Sequence, residues 1–275
     1  MNTAIALARL DHPVAMLGRM GSDAFADQLR EHLLANGVAL DLAVGVDEAT
    51  SLAVVSLDGT GHPSYTFHFG GTANFGWKPE ELPELGEDDW LHVASLAMVV
   101  EPGAGVLLDW LRGQADRLAG LSLDINVRPS VIPDRIEYAQ RTRPWLEVVG
   151  AAGGVLKASD EDLEFLAAED ESSWRDVARR WRAEYGAEAV VVTCGPDGAV
   201  ALGPEGEVSV PGRKVTVVDT VGAGDTFMAG FLDAYTVSPT ALEAALEQGI
   251  AAAAIVVQRQ GANPPTRAEL AATLD

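Results

Sequence analysis

The sequence predicts an α/β fold, and three observations carry that prediction. Short apolar runs of strand length alternate with amphipathic stretches of helical length through most of the chain. At 275 residues and 48% hydrophobic content, the chain is long and apolar enough for one large core and a single domain over 1–275. A late stretch, Val215-Thr-Val-Val-Asp219-Thr-Val-Gly222-Ala-Gly224-Asp225-Thr-Phe-Met-Ala-Gly230, reads as strand, glycine turn and helix in immediate succession.

The elements follow in chain order. Met1 to Leu10 reads as a helix with Ile5, Leu7, Ala8 and Leu10 on its apolar surface, and Val14 to Gly18 as a strand. Gly21-Ser22-Asp23 caps a second helix, Phe25 to Asn36, which Gly37 stops. Ser51 to Leu57 and Ser64 to Phe69 are two strands joined by Asp58-Gly59-Thr60-Gly61, a good hairpin connection. His62 and His68 lie in or beside this hairpin without metal-ligand spacing and read as surface residues. Asp89 to Ala97 is a buried strand and Gly103 to Leu118 an amphipathic helix. Trp90, Trp110, Trp145, Trp174 and Trp181 share no stripe, so they serve packing rather than base stacking.

Leu121-Ser-Leu-Asp124-Ile-Asn126-Val-Arg128 ends a strand with three polar side chains alternating in sequence. Period two puts Asp124, Asn126 and Arg128 on one side, at the end of a strand that faces ligand crevices in α/β folds; a structural Asp124–Arg128 ion pair is the alternative. Gly154 to Lys157 is another strand, and Ser159-Asp160-Glu161-Asp162 leads into a helix anchored by Leu163, Phe165 and Leu166, with the acidic run Glu169 to Glu171 on the surface. Ala189 to Thr193 is an apolar strand followed by the turn Cys194-Gly195-Pro196-Asp197-Gly198. Cys194 has no basic neighbour to make it a thiolate nucleophile. Thr240 to Arg259 forms a long alanine-rich helix before a short terminal one.

In the late stretch, Val215 to Val218 suits a buried strand, and Phe227, Phe231 and Leu232 recur at helical spacing. A glycine turn there leaves free N–H groups at a helix start, where the peptide dipoles favour anions. Asp225 sits on that start. A bare cap needs neither two glycines nor the preceding Asp219-Thr220.

Asp219-Thr-Val-Gly-Ala-Gly-Asp225 resembles the C-terminal signature of the ribokinase-like (PfkB) carbohydrate kinases, which move the γ-phosphoryl of ATP to a sugar hydroxyl. The resemblance implies a mainly parallel sheet flanked by helices, with a small β lid around residues 42–72 through which the protein can form a homodimer. It implies Asp225 as catalytic base and Gly222, Ala223 and Gly224 as the anion hole. Asp219 would lie beside a monovalent cation, commonly K⁺, and ATP and Mg²⁺ would be required. Asp124-x-Asn126-x-Arg128 resembles the family's sugar-side element, to which Asn2 adds a contact. Lys157 and Ser159 belong to a strand-end motif near the nucleotide, with Ser159 and Asp162 where the fuller pattern has Asn and Glu. Thr193, Gly195 and Gly198 match a Thr-x-Gly-x-x-Gly loop on the ATP side. Leu91-His-Val-Ala-Ser-Leu-Ala-Met and Arg259-Gln-Gly-Ala262 are most similar to bacterial fructokinases. The family also carries a strand and a Gly-Gly pair before the position of Asn2, which are absent here; a displaced recorded start is the expectation, because losing a central strand leaves backbone groups unpaired.

A formal charge of −22 argues against nucleic acid and anionic membranes as partners. It also leaves ATP capture to local donors, since screening confines the field to about 8 Å. No apolar run of about eighteen residues and no leader is apparent, so a cytoplasmic protein is expected. The single cysteine excludes an intramolecular disulfide. A dinucleotide-binding reading fails because Phe227 stands where the third glycine belongs, and a P-loop reading fails for want of Gly-Lys-Ser/Thr. The expected function is an ATP-dependent kinase for fructose, with ribose or 2-keto-3-deoxygluconate as other acceptors and a non-catalytic binding relative as the alternative.

Overall fold

The computed structural model describes residues 1–57, 63–167 and 173–274. The expected hairpin turn at 58–61, His62 and the acidic run Glu169 to Glu171 lie outside the described residues.

The chain opens with helix α1 (Asn2–Arg9), then β1 (Val14–Ala15), β2 (Gly18–Met20), α2 (Ala24–Ala35), β3 (Val38–Ala39) and β4 (Ala43–Gly45). The single strand expected at Val14 to Gly18 is thus two short ones, β1 pairing parallel with β3 and β2 with β4. An antiparallel hairpin follows, β5 (Leu52–Leu57) and β6 (Pro63–His68), standing as its own two-stranded sheet. His68 is exposed, as a surface residue should be.

The main sheet then forms from β7 (Trp90–Ala94), β8 (Gly120–Asp124), β9 (Val155–Ser159), β10 (Ala189–Thr193), β11 (Ala199–Gly203) and β12 (Gly206–Val210). Its spatial order is β12-β11-β10-β9-β8-β7, parallel from β7 to β10 and antiparallel at the β11–β12 hairpin. Helices α3 (Gly103–Arg112), α4 (Arg135–Ala151), α5 (Asp160–Phe165) and α6 (Trp174–Tyr185) make the crossovers. After β12 come α7 (Ala223–Tyr235), α8 (Leu242–Val256) and α9 (Arg267–Leu274).

Alternation along each strand divides the core. Leu121, Leu123, Leu156, Val190 and Val192 face a layer that includes the fully buried Trp145 of α4 and Trp181 of α6. Val155, Ala189 and Val191 face the opposite layer, where Phe227 and Phe231 of α7 pack with Leu246 of α8. Phe227, Phe231 and Tyr235, four residues apart, stack in succession along one face of α7. Gly230 lets α8 approach closely, for a methyl group there would lie 2.9 Å from the Ala252 side chain and the Gln248 carbonyl. Helix α7 is therefore held by both α8 and α1.

One expectation fails here. Residues 211–222 contain no strand, and Val217 and Val218 are exposed instead of buried. Their segment is tied down by Val218 and Asp219 N–H groups donating to the Val257 carbonyl at the end of α8. β7, at the sheet's edge, borders a cavity of about 1290 Å³ whose other wall includes Val14 to Gly18.

Candidate active site

Gly222 adopts a left-handed conformation (φ 78°) and forms the N-cap of α7, turning the chain from the exposed loop into the buried helix. The N–H groups of Gly222, Gly224 and Asp225 donate to no protein acceptor among the described residues, whereas that of Ala223 is engaged by the Thr220 carbonyl at 3.1 Å. Of the expected anion-hole groups the Ala223 N–H is thus engaged, while Gly222 and Gly224, together with the Asp225 backbone, keep theirs available. Glycine signatures point to glycines, so only the first-turn hydrogen-bond inventory could reveal the Asp225 N–H.

The Asp225 carboxylate is held by the first helix of the chain. Asn2 donates from Nδ2 to Oδ2 at 2.8 Å, and the Thr3 hydroxyl lies 3.4 Å from Oδ1. Asn2 was expected among the sugar contacts; it also orients the expected base. Thr3 gave no signal of its own, being one buried polar residue in a helix that reads as apolar packing.

Asp225, Asn2, Asn126 and Arg128 line the same cavity, as does Phe67 of β6. Asp124 is not among them. β8 ends at Asp124, and Asn126 turns left-handed (φ 41°), so the alternation expected of Asp124, Asn126 and Arg128 is broken. Arg128 folds back onto Asn126, donating to its side chain and to the Val127 carbonyl. The Asp124–Arg128 pair does not form: Asp124 is 1% exposed and accepts from Lys157 Nζ at 2.8 Å on the neighbouring strand. Burial pushes the Asp124 carboxyl up to about 6, against the pull of the Lys157 ammonium.

Beside this pair, the Trp90 indole N–H donates to Ser122 Oγ, which is 2.9 Å from His92 Nδ1. Burial lowers His92 to about 4, so the ring is neutral at physiological pH. These residues are one sheet face below α7, and nothing in the strand pattern distinguished them from packing.

Of the expected nucleotide residues, Lys157 lies within β9 beside Asp124, while the others follow at the ends of β9 and β10, where Ser159 and Thr193 are register partners. None of Lys157, Ser159, Thr193, Gly195 and Gly198 lines the cavity that holds Asp225. Ser159 caps α5, its Oγ accepting from Asp162 N–H at 3.0 Å while Asp162 accepts from Ser159 N–H at 2.8 Å. The other Asp162 oxygen takes the Val127 N–H at 2.7 Å, so Asp162 ties the β8 end to the β9 end. Gly195 is left-handed and open on its missing side chain, as a ligand-facing glycine should be. Gly198 is not: a Cβ would meet the Val210 carbonyl at 2.1 Å, so its freedom serves backbone packing rather than a nucleotide. Burial raises the Cys194 thiol to about 11, in line with an inert side chain.

Asp219 accepts from Val221 N–H at 3.0 Å and from Gly261 N–H at 2.9 Å, and these bonds hold its carboxyl below the ordinary range. It staples the loop before α7 to the turn after α8. Each of its oxygens keeps a lone pair beyond these bonds.

Residues 1–269 match the model of the pfkB family carbohydrate kinases. The chain is 36% identical over 235 residues to a fructokinase of Rhizobium leguminosarum bv. trifolii, covering 84% of this chain and 68% of that protein. Among solved structures, a Vibrio cholerae fructokinase bound to fructose, ADP and calcium superposes with a TM-score of 0.87 at 26% identity, over 100% of this chain and 89% of the other. A Xylella fastidiosa fructokinase with bound ATP gives 0.87 at 27% identity, over 99% and 88%. A glycine-led helix start carrying an aspartate that lines this cavity thus sits in a fold shared with these enzymes, and the chain belongs to the pfkB family of carbohydrate kinases.

Proposed function

We propose that this ATP-dependent sugar kinase acts on fructose, transferring the terminal phosphoryl group of MgATP to one of its hydroxyls. The observation that carries the reading is the shared cavity, in which Asp225 meets Asn2, Asn126 and Arg128 next to the free N–H groups of the α7 start. The fructose assignment is supported by the Rhizobium relative and by the fructose and ADP in the Vibrio structure.

In the reaction a bond forms between the sugar oxygen and phosphorus, the bond from phosphorus to the ADP oxygen breaks, and the hydroxyl proton passes to Asp225. Asn2 and Thr3 aim the carboxylate so that its free lone pairs meet the incoming hydroxyl. The N–H groups of Gly222, Gly224 and Asp225 receive the moving phosphoryl oxygens. Aimed donors of this kind contribute roughly 2.7–4 kcal/mol each in other enzymes, against about 0.3–1 for an exposed helix dipole, so they dominate. Mg²⁺ would supply charge neutralisation on the nucleotide. Such an ion is held mainly by phosphates and water, which agrees with the lack of any cluster of three metal-ligating side chains among the described residues. K⁺ would sit beside Asp219 and brace the loop. Phe67 of the β5–β6 hairpin lines the cavity, which supports that hairpin as its cover and as the element through which two copies would associate.

The test is a coupled ADP-release assay over fructose, ribose and 2-keto-3-deoxygluconate. Fructose is expected to give the highest kcat/KM, and Asp225→Asn is expected to lower kcat by about 10²–10⁴-fold. An asparagine variant as fast as wild type removes Asp225 from the proposed role, and preference for another sugar removes fructose.

A further inference from the structure

Beneath the start of α7 lies a buried ion pair that the reaction as described does not use. Lys157 of β9 and Asp124 of β8 are 3% and 1% exposed, and their 2.8 Å contact lies on the sheet face below the site. Asp124 Oδ1 is buried with no partner among the described residues. Of the three Lys157 donors, one goes to Asp124 and the others meet no protein acceptor among the described residues. What Lys157 does approach is Gly224: a Cβ on that glycine would lie 3.4 Å from Nζ. The ammonium therefore rests against the turn that carries the free N–H groups, with Asp124 as its counter-charge.

A buried ion pair is poor glue. Desolvation of both charges offsets most of their attraction, and apolar pairs of similar volume are commonly as stable or more so. The neighbouring positions on this sheet face, Val155 and Val191, show that an apolar pair would suit the surroundings. A cation in a dry site close to developing negative charge is, by contrast, well placed to stabilise it, and it needs no reorganisation as the charge moves.

We propose that Asp124 and Lys157 are a positioning pair for phosphoryl transfer: Asp124 fixes Lys157 under Gly224, and its positive charge strengthens the backbone anion hole without touching sugar or nucleotide. The inference rests on the kinase reading above, and it accounts for both residues in a role other than the substrate contacts first expected of them. It applies to the transferring group, not to ground-state ADP.

Two variants test it, Lys157→Met and the doubly neutral Asp124→Leu/Lys157→Met, with Tm recorded for each. Titration calorimetry with MgADP alone and with MgADP plus aluminium fluoride, a mimic of the phosphoryl group in flight, reads the effect. Both variants are expected to bind MgADP within threefold of wild type and the fluoroaluminate complex about 100-fold more weakly, equivalent to about 2.7 kcal/mol. In steady-state assays kcat falls by a similar factor while KM for the sugar moves less than threefold. Should the single variant be too unstable to assay, the double variant decides, because it leaves no unpaired buried charge. A folded double variant that binds the fluoroaluminate complex like wild type makes the pair structural and overturns the inference alone. A wild-type protein that binds neither ligand overturns the kinase reading and this inference with it.

Discussion

Gly222 carries two constraints at once. Its φ of 78° is a conformation that side chains resist, and a Cβ there would lie 2.8 Å from the Ala262 side chain. Gly222→Ala is therefore expected to cost about 1–2 kcal/mol for the backbone alone, with the overlap adding to it. It is also expected to lower kcat by tenfold or more, because displacing the turn moves the anion hole relative to Asp225. Denaturant unfolding and steady-state kinetics on one preparation check both; a variant with unchanged kcat would separate the turn from catalysis. At this scale the sequence was informative where a residue's chemistry and its backbone needs coincide. Gly222 and Asp225 do occupy the helix start that their types suggest, whereas Asn126 leaves the strand alternation expected of it. It misled at Gly198, whose spacing matches a nucleotide loop while its missing side chain makes room for the Val210 carbonyl. A motif records that glycine is needed, not which neighbour needs it.

Among the elements, α2 shows how a cap couples local and distant structure. Asp23 accepts from Ala26 N–H at 2.9 Å as an N-cap, and from the Thr50 N–H and hydroxyl at 2.8 and 2.6 Å. The Thr50 hydroxyl, then the backbone N–H groups of Thr50 and Ala26, lower this carboxyl from 3.8 to about 2. A depressed carboxyl stabilises the fold fully above its unfolded value, and the contribution is lost as pH falls through the folded one. The stability gap between wild type and Asp23→Asn is thus expected to be constant from pH 7 to about 4 and to narrow toward pH 2. Denaturant midpoints across that range measure it, and a gap unchanged at pH 3 would assign the stabilisation elsewhere. The same scale holds the clearest misreading. Val215 to Val218 has the β-branched content of a buried strand, yet it pairs with no strand among the described residues, and Val217 and Val218 are exposed while the segment bonds to Val257. Strand propensity measures fit to a pleated, half-buried surface, and a sequence does not show whether a partner is there. Strands β8, β9 and β10 were legible because apolar runs there are bounded by polar residues and glycines on both sides. The buried polar layer of His92, Ser122, Asp124 and Lys157 was not, since pairing between adjacent strands depends on register, which no single strand reveals.

For the molecule as a whole, Asp233 is the node that joins distant segments. Its carboxylate takes hydrogen bonds from His12 at 2.6 Å, from Arg267 at 2.7 Å and from Gln248 of α8. Burial favours its protonated form, but the bonds from Arg267 and His12 outweigh that and keep the carboxyl low. Asp233→Ala leaves these donors without their acceptor and is expected to cost about 2 kcal/mol, read as a lower denaturant midpoint with substrate KM unchanged. A midpoint equal to wild type would show that these segments are held without Asp233, by packing and by the bonds of Arg9 to Asn263 and Pro264. The central sheet and its crossover helices were legible from alternation, while the joining of chain ends at α7 was not, because polar residues so far apart carry no common signal. That joining bears on how the protein is made. Asn2 and Asp225 are 223 positions apart, so their contact can close only after the six-stranded sheet that lies between them in sequence has been made. Contacts of such long range close late and slowly, which makes the pocket around Asp225 one of the last features of the fold to be completed.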